Sequence, residues 1–183
     1  MTRFRFLFAV VLGALMFALT FVTTDASADG MIHTGDAVRT KSLGLFTVNV
    51  YAIRHDMAEK PAAKTKQAVI DADVNKVFTC VMKRDVDSVK IQKALREAFA
   101  MNGYGDAGKI NQFVAAFNKE EVKEKSVFVI KYDAASKNVT LWVKDGGSAT
   151  VNGVDFMKAT WSIWLGKIDQ PSMGDQLISL LPG

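Results

Sequence analysis

The sequence predicts an α+β domain: an antiparallel sheet with helices packed on one face, preceded by a segment that lies outside the fold. Three observations carry that reading. Apolar residues recur with period two in several short runs and with period 3.6 in others. The two kinds of run are grouped, strands with strands and helices in pairs, which favours α+β over a strictly alternating parallel sheet. Gly, Asn and Asp turn signals separate the later runs at hairpin length. No internal repeat or low-complexity tract interrupts the pattern.

Taken in order, Arg3 and Arg5 precede an apolar run from Phe6 to Val22, and Ala26-Ser27-Ala28 follows as an A-x-A cleavage pattern. Residues 1–28 therefore read as a signal peptide cleaved after Ala28. The rival is an uncleaved anchor, since a run of about 17 residues borders on spanning length. Cleavage leaves residues 29–183 as one domain with enough chain for a real core. Its expected place is periplasmic or secreted, with no stable membrane anchor. The removed segment carries Arg3, Arg5 and Asp25, so the net charge falls from +4 to +3. That excess is spread along the chain without a basic block, which argues for solubility and against nucleic acid as a partner. The single cysteine, Cys80, excludes an internal disulfide; inside the apolar run Val77 to Met82 it reads as a buried, inert thiol.

Within the domain, Asp29 to Thr34 is an opening strand or loop. Gly35 to Lys41 reads as a turn-like segment carrying Arg39, and Leu43 to Ile53 as a long strand on which other elements are laid. In that strand Phe46, Val48, Val50 and Ala52 alternate with Thr47, Asn49 and Tyr51. A helix is expected from Pro61 to Ile70, because proline suits a first turn. Val74 to Lys83 is a second strand, apolar on both faces and hence central. Asp87-Ser88 opens a helix whose Ile91, Leu95, Ala98 and Phe99 share a face, and Asn102-Gly103 stops it. Asp106 caps a second helix with Ile110, Phe113, Val114 and Phe117 as its seam, and the pair forms a helical hairpin. Lys119 to Lys125 is a charged loop. Val127 to Tyr132, Val139 to Val143 and Ser148 to Val151 make a three-strand meander. Two helices close the chain: Met157, Trp161, Trp164 and Leu165 form one face, Met173, Leu177, Leu180 and Leu181 the other, with Gly166 ending the first.

Motifs that carry chemistry are nearly absent from the chain. The chain contains no G-x-G-x-x-G, no Walker loop and no G-x-S-x-G. His33 and His55 are its only histidines, neither with a partner at ligand spacing, so no metal and no cofactor is expected. His33 reads as a solvated loop residue, with a pH-sensitive pairing to Asp36 as the alternative. Asp85 and Asp87 read as a cap and not as a catalytic carboxylate pair. Trp161 and Trp164 share one helix face, which suits core packing, a ligand cleft, or both.

A resemblance sharpens this. Gly35-Asp36-Ala37-Val38-Arg39-Thr40-Lys41, the strand ending Val48-Asn49-Val50-Tyr51, and the tail Phe156…Ile163-Trp164-Leu165-Gly166…Leu177…Leu180-Leu181 are similar to the bacterial chalcone-isomerase-like family. Leu95…Tyr104-Gly105-Asp106-Ala107 also resembles the same region of plant chalcone isomerases. The likeness runs from about Asp29 to Leu181 and departs at the start, where little room remains for a further hairpin. It implies an open-faced β-sandwich with a ligand cleft between sheet and helices.

It also bears on activity. An arginine of the family's site carries over onto Arg39; a strand threonine falls at Phe46, with Thr47 one residue away on the opposite face; a late threonine falls at Ile163, beside Trp164. A tyrosine and an asparagine find no match in Val86 to Lys93. Ring closure needs a hydrogen-bond network around developing charge, and most of those positions are apolar here. The resemblance therefore implies a non-catalytic protein holding a small hydrophobic carboxylate such as a fatty acid, with Arg39, Phe46, Ile163 and Trp164 as ligand-binding residues. The alternatives are an interaction protein with a filled cleft, Arg39 pairing with an acid such as Asp36, or an intramolecular lyase of chalcone type.

Overall fold

The structure, a computed structural model, describes residues 30–183. The expected signal peptide and its cleavage site lie outside the described residues. Eight strands and five helices follow: β1 (Ile32–Leu43), β2 (Phe46–Met57), α1 (Lys66–Asp71), β3 (Lys76–Met82), β4 (Val86–Asp87), α2 (Ser88–Met101), α3 (Ala107–Val114), β5 (Glu121–Val122), β6 (Val127–Asp133), β7 (Asn138–Val143), β8 (Ser148–Asn152), α4 (Val154–Leu165) and α5 (Ser172–Leu177).

Six strands form one antiparallel sheet in the order β1-β2-β3-β6-β7-β8, and β4 pairs with β5 alone. The alternation that predicted the strands sets the layering. In β6, Phe128, Ile130 and Tyr132 are buried while Val129 is half-buried and Lys131 exposed; in β3, Phe78, Cys80 and Met82 are buried while Thr79 and Val81 are half-buried. The buried face meets the helices and the other is open, an open-faced α+β arrangement. Cys80 is fully buried, and burial raises its thiol pKa well above the ordinary value, as expected of an inert core residue.

Several local expectations are corrected. Gly35 to Lys41 is not a turn but part of β1, paired with β2 through Arg39↔Tyr51; the turn comes later, at Gly44-Leu45, where Gly44 takes φ +64°. α1 begins at Lys66, capped by the Thr65 hydroxyl accepting from the Ala68 N–H, so Pro61 stands outside the helix. The charged stretch Lys119 to Lys125 contains β5. α5 stops at Leu177, and Leu180, expected on its buried seam, is exposed. By contrast Asp87 and Asp106 cap α2 and α3 as expected.

Two irregularities in β1–β2 decide what faces inward. At one end Thr34 is an extra residue between the pairs His33↔Asp56 and Gly35↔His55; at the other, Val50 is extra between Arg39↔Tyr51 and Thr40↔Asn49. Such a bulge reorients the strand beyond it. Tyr51, Ile53, His55 and Met57 face the helices, and past Val50 it is Val48 that shares their side. Gly35 lets α5 sit directly on β1: a Cβ there would lie 2.1 Å from the Gln176 carbonyl oxygen.

Candidate functional site

A cleft of about 710 Å³ opens between the helix-facing side of the sheet, α2 and the end of α4. Its walls follow from the periodicities already described. Met82, Phe128 and Ile130 come from the sheet, Ile91, Leu95 and Ala98 from α2, and Ile163 with Trp164 from α4. The volume lies in the range of cavities that hold small organic molecules, about 300–1,000 Å³.

Polar groups gather on the β1 flank. Arg39 and Tyr51 stand opposite each other on neighbouring strands, and both line the cleft. The Arg39 guanidinium, 17% exposed, pairs with Asp169 at 2.6 Å, and its other terminal nitrogen reaches the Gln170 side-chain oxygen at 3.4 Å. Gln170 also holds the β1 backbone, accepting from the Thr40 N–H at 3.0 Å and donating to the Val38 carbonyl at 2.9 Å. The segment after α4 is thereby fixed against β1, with Asp169 presented to Arg39. The acid beside Arg39 is thus Asp169 and not Asp36, the example given for the filled-cleft alternative; Asp36 lies 2.7 Å from His33.

On the cleft floor the Trp164 indole donates to the Tyr51 hydroxyl at 2.8 Å. Burial is the main reason the phenol's pKa rises, so Tyr51 stays neutral and keeps a proton. Since its oxygen accepts from Trp164, its O–H is free to donate into the cleft. The arrangement offers one cation and one neutral donor side by side, beside an apolar hollow. It can hold an anionic head with an apolar body.

Arg39, Ile163 and Trp164 all line the cleft. Phe46 does not: it is 74% exposed near the hairpin turn, and Val48 and Val50 line the cleft instead. Phe46 follows Val48 on the same side of the strand but lies past the end of the cleft, beside the Gly44-Leu45 turn. Sequence reasoning also missed Tyr51, Asp169 and Gln170 as parts of the site. Tyr51 faces Arg39 only once β1 is known to be a strand, and Asp169 and Gln170 lie 130 residues further on in a polar segment with no periodic signal.

One turn away from Trp164, Trp161 belongs to a different, sealed cluster. Its indole donates to His55 Nε2 at 2.9 Å, so the His55 proton sits on Nδ1 and is donated to the Thr34 hydroxyl at 2.6 Å, which donates in turn to the Leu177 carbonyl at 2.7 Å. Burial, then the Lys76 charge, lowers the His55 pKa to about 3. Lys76 is itself buried; its ammonium donates to the carbonyls of Val69, Ile70 and Ala72 at 2.8–3.1 Å and lies 4.9 Å over the Trp161 ring. Burial lowers its pKa to about 7, opposed by Asp73 and Asp71. His33, expected to be solvated, is bracketed by Asp36 and by Asp56 at 3.2 Å. Among the described residues no group of His, Cys, Asp and Glu is arranged to hold a metal ion.

Comparison with known proteins agrees with this architecture. No curated protein matches the chain. Among solved structures, a fatty-acid binding protein of Arabidopsis thaliana superposes with a TM-score of 0.65 at 14% identity, covering 82% of this chain and 87% of that one. At that identity the likeness speaks for the fold alone. The chalcone isomerase-like family profile matches residues 23–174, nearly the whole of the described domain. With the six-stranded antiparallel sheet, its one-sided helical layer and Arg39 in the cleft between them, the chain belongs to the chalcone isomerase-like family.

Proposed function

We propose that this protein is a non-catalytic binder of a hydrophobic carboxylate such as a fatty acid, exported to the periplasm or beyond after loss of residues 1–28. The observation that carries the reading is Arg39 and the neutral Tyr51 standing together on the flank of a largely apolar cleft of about 710 Å³. The carboxylate takes the Arg39 guanidinium and the Tyr51 hydroxyl, displacing Asp169. That exchange is cheap because Asp169 is 57% exposed and returns to water. A charged hydrogen bond contributes about 1.5–3 kcal/mol. Each buried methylene adds about 0.8 kcal/mol, so a chain of ten outweighs the head and sets affinity by length. The name of the Arabidopsis fold neighbour is in keeping with this.

The test is native mass spectrometry of the purified protein together with titration of a long-chain carboxylate. Arg39→Ala is expected to weaken binding about 10- to 100-fold. Unchanged affinity in that variant removes Arg39 from the site, and no binding by the wild type ends the proposal. Mass determination of the exported protein checks removal of residues 1–28.

The open volume weighs against the filled-cleft alternative. A lyase of chalcone type needs an acid or base beside Arg39; Tyr51, with its raised pKa, is a poor base, and a cyclisation assay decides the matter.

A further inference from the structure

The β1–β2 hairpin runs past the rest of the sheet. β3 pairs with β2 only from Tyr51 to Met57, leaving Phe46 to Val50 without a neighbour on that side apart from one bond, Lys83 N–H to the Val50 carbonyl. Five residues at about 3.4 Å each make a ribbon of about 17 Å beyond Tyr51. Its tip is apolar. Leu45, in the turn itself, is 99% exposed and Phe46 74% exposed, where turn chemistry favours Asn, Asp or Gly. The tip is also close to the cleft: Lys41 pairs with Val48 and both line it, and Leu43↔Phe46 is only two pairs further out.

Five cations and five acids line the cleft, and with Lys93 and Lys123, which pair with three of those acids from outside the lining, seven cations stand against five acids. The lining acids are engaged: Asp169 with Arg39, Asp85 and Glu121 with Lys123, Glu97 with Lys93, and Asp87 as the cap of α2. Of the lining cations, Lys41, Arg84, Lys90 and Lys167 have no acidic partner among the described residues. An apolar tip beside uncompensated cations matches a bilayer with an anionic surface, where apolar side chains enter the acyl boundary and lysines stay at the headgroups. Among the described residues no helix is long and apolar enough to cross a membrane.

We propose that the β1–β2 tip docks the protein on an anionic lipid surface, Leu45 and Phe46 entering the bilayer and the cleft mouth facing the headgroups. Resting on the reading of the cleft as a fatty-acid site, this gives an amphiphilic cargo a path between bilayer and cleft with little exposure to water.

The test uses an environment-sensitive fluorophore on Leu45→Cys in the full chain; Cys80 is buried and leaves the label selective. A control label goes on Ala135→Cys, in the β6–β7 turn at the opposite end of the sheet. Because the readout is local, attachment through the amino-terminal apolar run does not register as insertion of the tip. Vesicles of equal phosphatidylglycerol and phosphatidylcholine should shift the emission at position 45 and not at 135. Removing phosphatidylglycerol should weaken the effect about tenfold at low salt, and a Leu45→Ser, Phe46→Ser pair should lower vesicle affinity by about tenfold or more. No shift at 45, an equal shift at 135, or a lipid-free shift that grows with protein concentration, the sign of a second copy on the tip, overturns the proposal. The double serine variant should still bind carboxylate in solution as the wild type does. Insertion without any carboxylate binding would remove the cargo reading and leave docking standing; binding without insertion would do the reverse.

Discussion

Trp161 and Trp164 sit one turn apart on α4, both essentially fully buried, and each donates its indole N–H to a side chain of β2, Trp161 to a ring nitrogen of His55 and Trp164 to the Tyr51 hydroxyl. Trp161 meets His55 in a cluster closed on every side by Phe78, Tyr132, Lys76 and Thr34. Trp164 meets Tyr51 on the floor of an open cleft. The same helix and the same strand thus make a sealed end and a hollow end. What differs is the chain laid above them: α1 and α5 close over the first, whereas α2 stands off the second. Burying polar groups demands partners, and the sealed end satisfies His55 and Lys76 completely; the hollow end leaves the Tyr51 proton unassigned. Stability should therefore concentrate at Trp161 and function at Trp164.

The largest effect expected is on Trp161→Ala, which removes a fully buried ring from the sealed cluster and should cost about 3–5 kcal/mol in urea unfolding. Next is acid sensitivity. Unfolded His55 takes up a proton near its ordinary 6.5, the folded one only near 3. The unfolded chain binds more protons between those values, so stability is lost as pH falls through that window. His55→Gln should flatten the slope of unfolding free energy against pH there by up to about 1.4 kcal/mol per unit. Third, Trp164→Phe removes one hydrogen bond to a half-buried phenol and should cost about 0.5–1.5 kcal/mol. A loss as large as that of Trp161→Ala would erase the distinction between the two ends. Smallest in stability is Ala98→Trp, which projects into the cleft from α2 and should move unfolding by about 0.5 kcal/mol or less. Carboxylate binding should nevertheless be abolished in titration.

Much of this was legible in the sequence where one physical signal dominates. The faces of α2, α3 and α4 follow from apolar spacing, and their caps Asp87 and Asp106 from side-chain chemistry. Arg39 and Ile163 were placed in the cleft by the family resemblance, whereas for Trp164 helical spacing had already left core and cleft open. The failures share a cause. β1 is polar enough to resemble a turn because it is an edge strand covered late in the sequence by α5 and Gln170. Phe46 missed the cleft because the hairpin carries it past the point where β3 stops pairing, and nothing in the alternation of β2 marks where its neighbour ends. Lys76 as a buried residue was hidden because its partners are backbone carbonyls, which carry no sequence identity.

Gln170 has a consequence for life at high concentration. The Val38 carbonyl and the Thr40 N–H point away from β2, toward the side on which another molecule would add a strand, and the Gln170 amide occupies both. A single primary amide presents one acceptor and one donor, as a peptide group does, yet it propagates nothing. The outermost ladder of the sheet is terminated by a side chain, and sheet-to-sheet polymerisation along that border is denied its first rung.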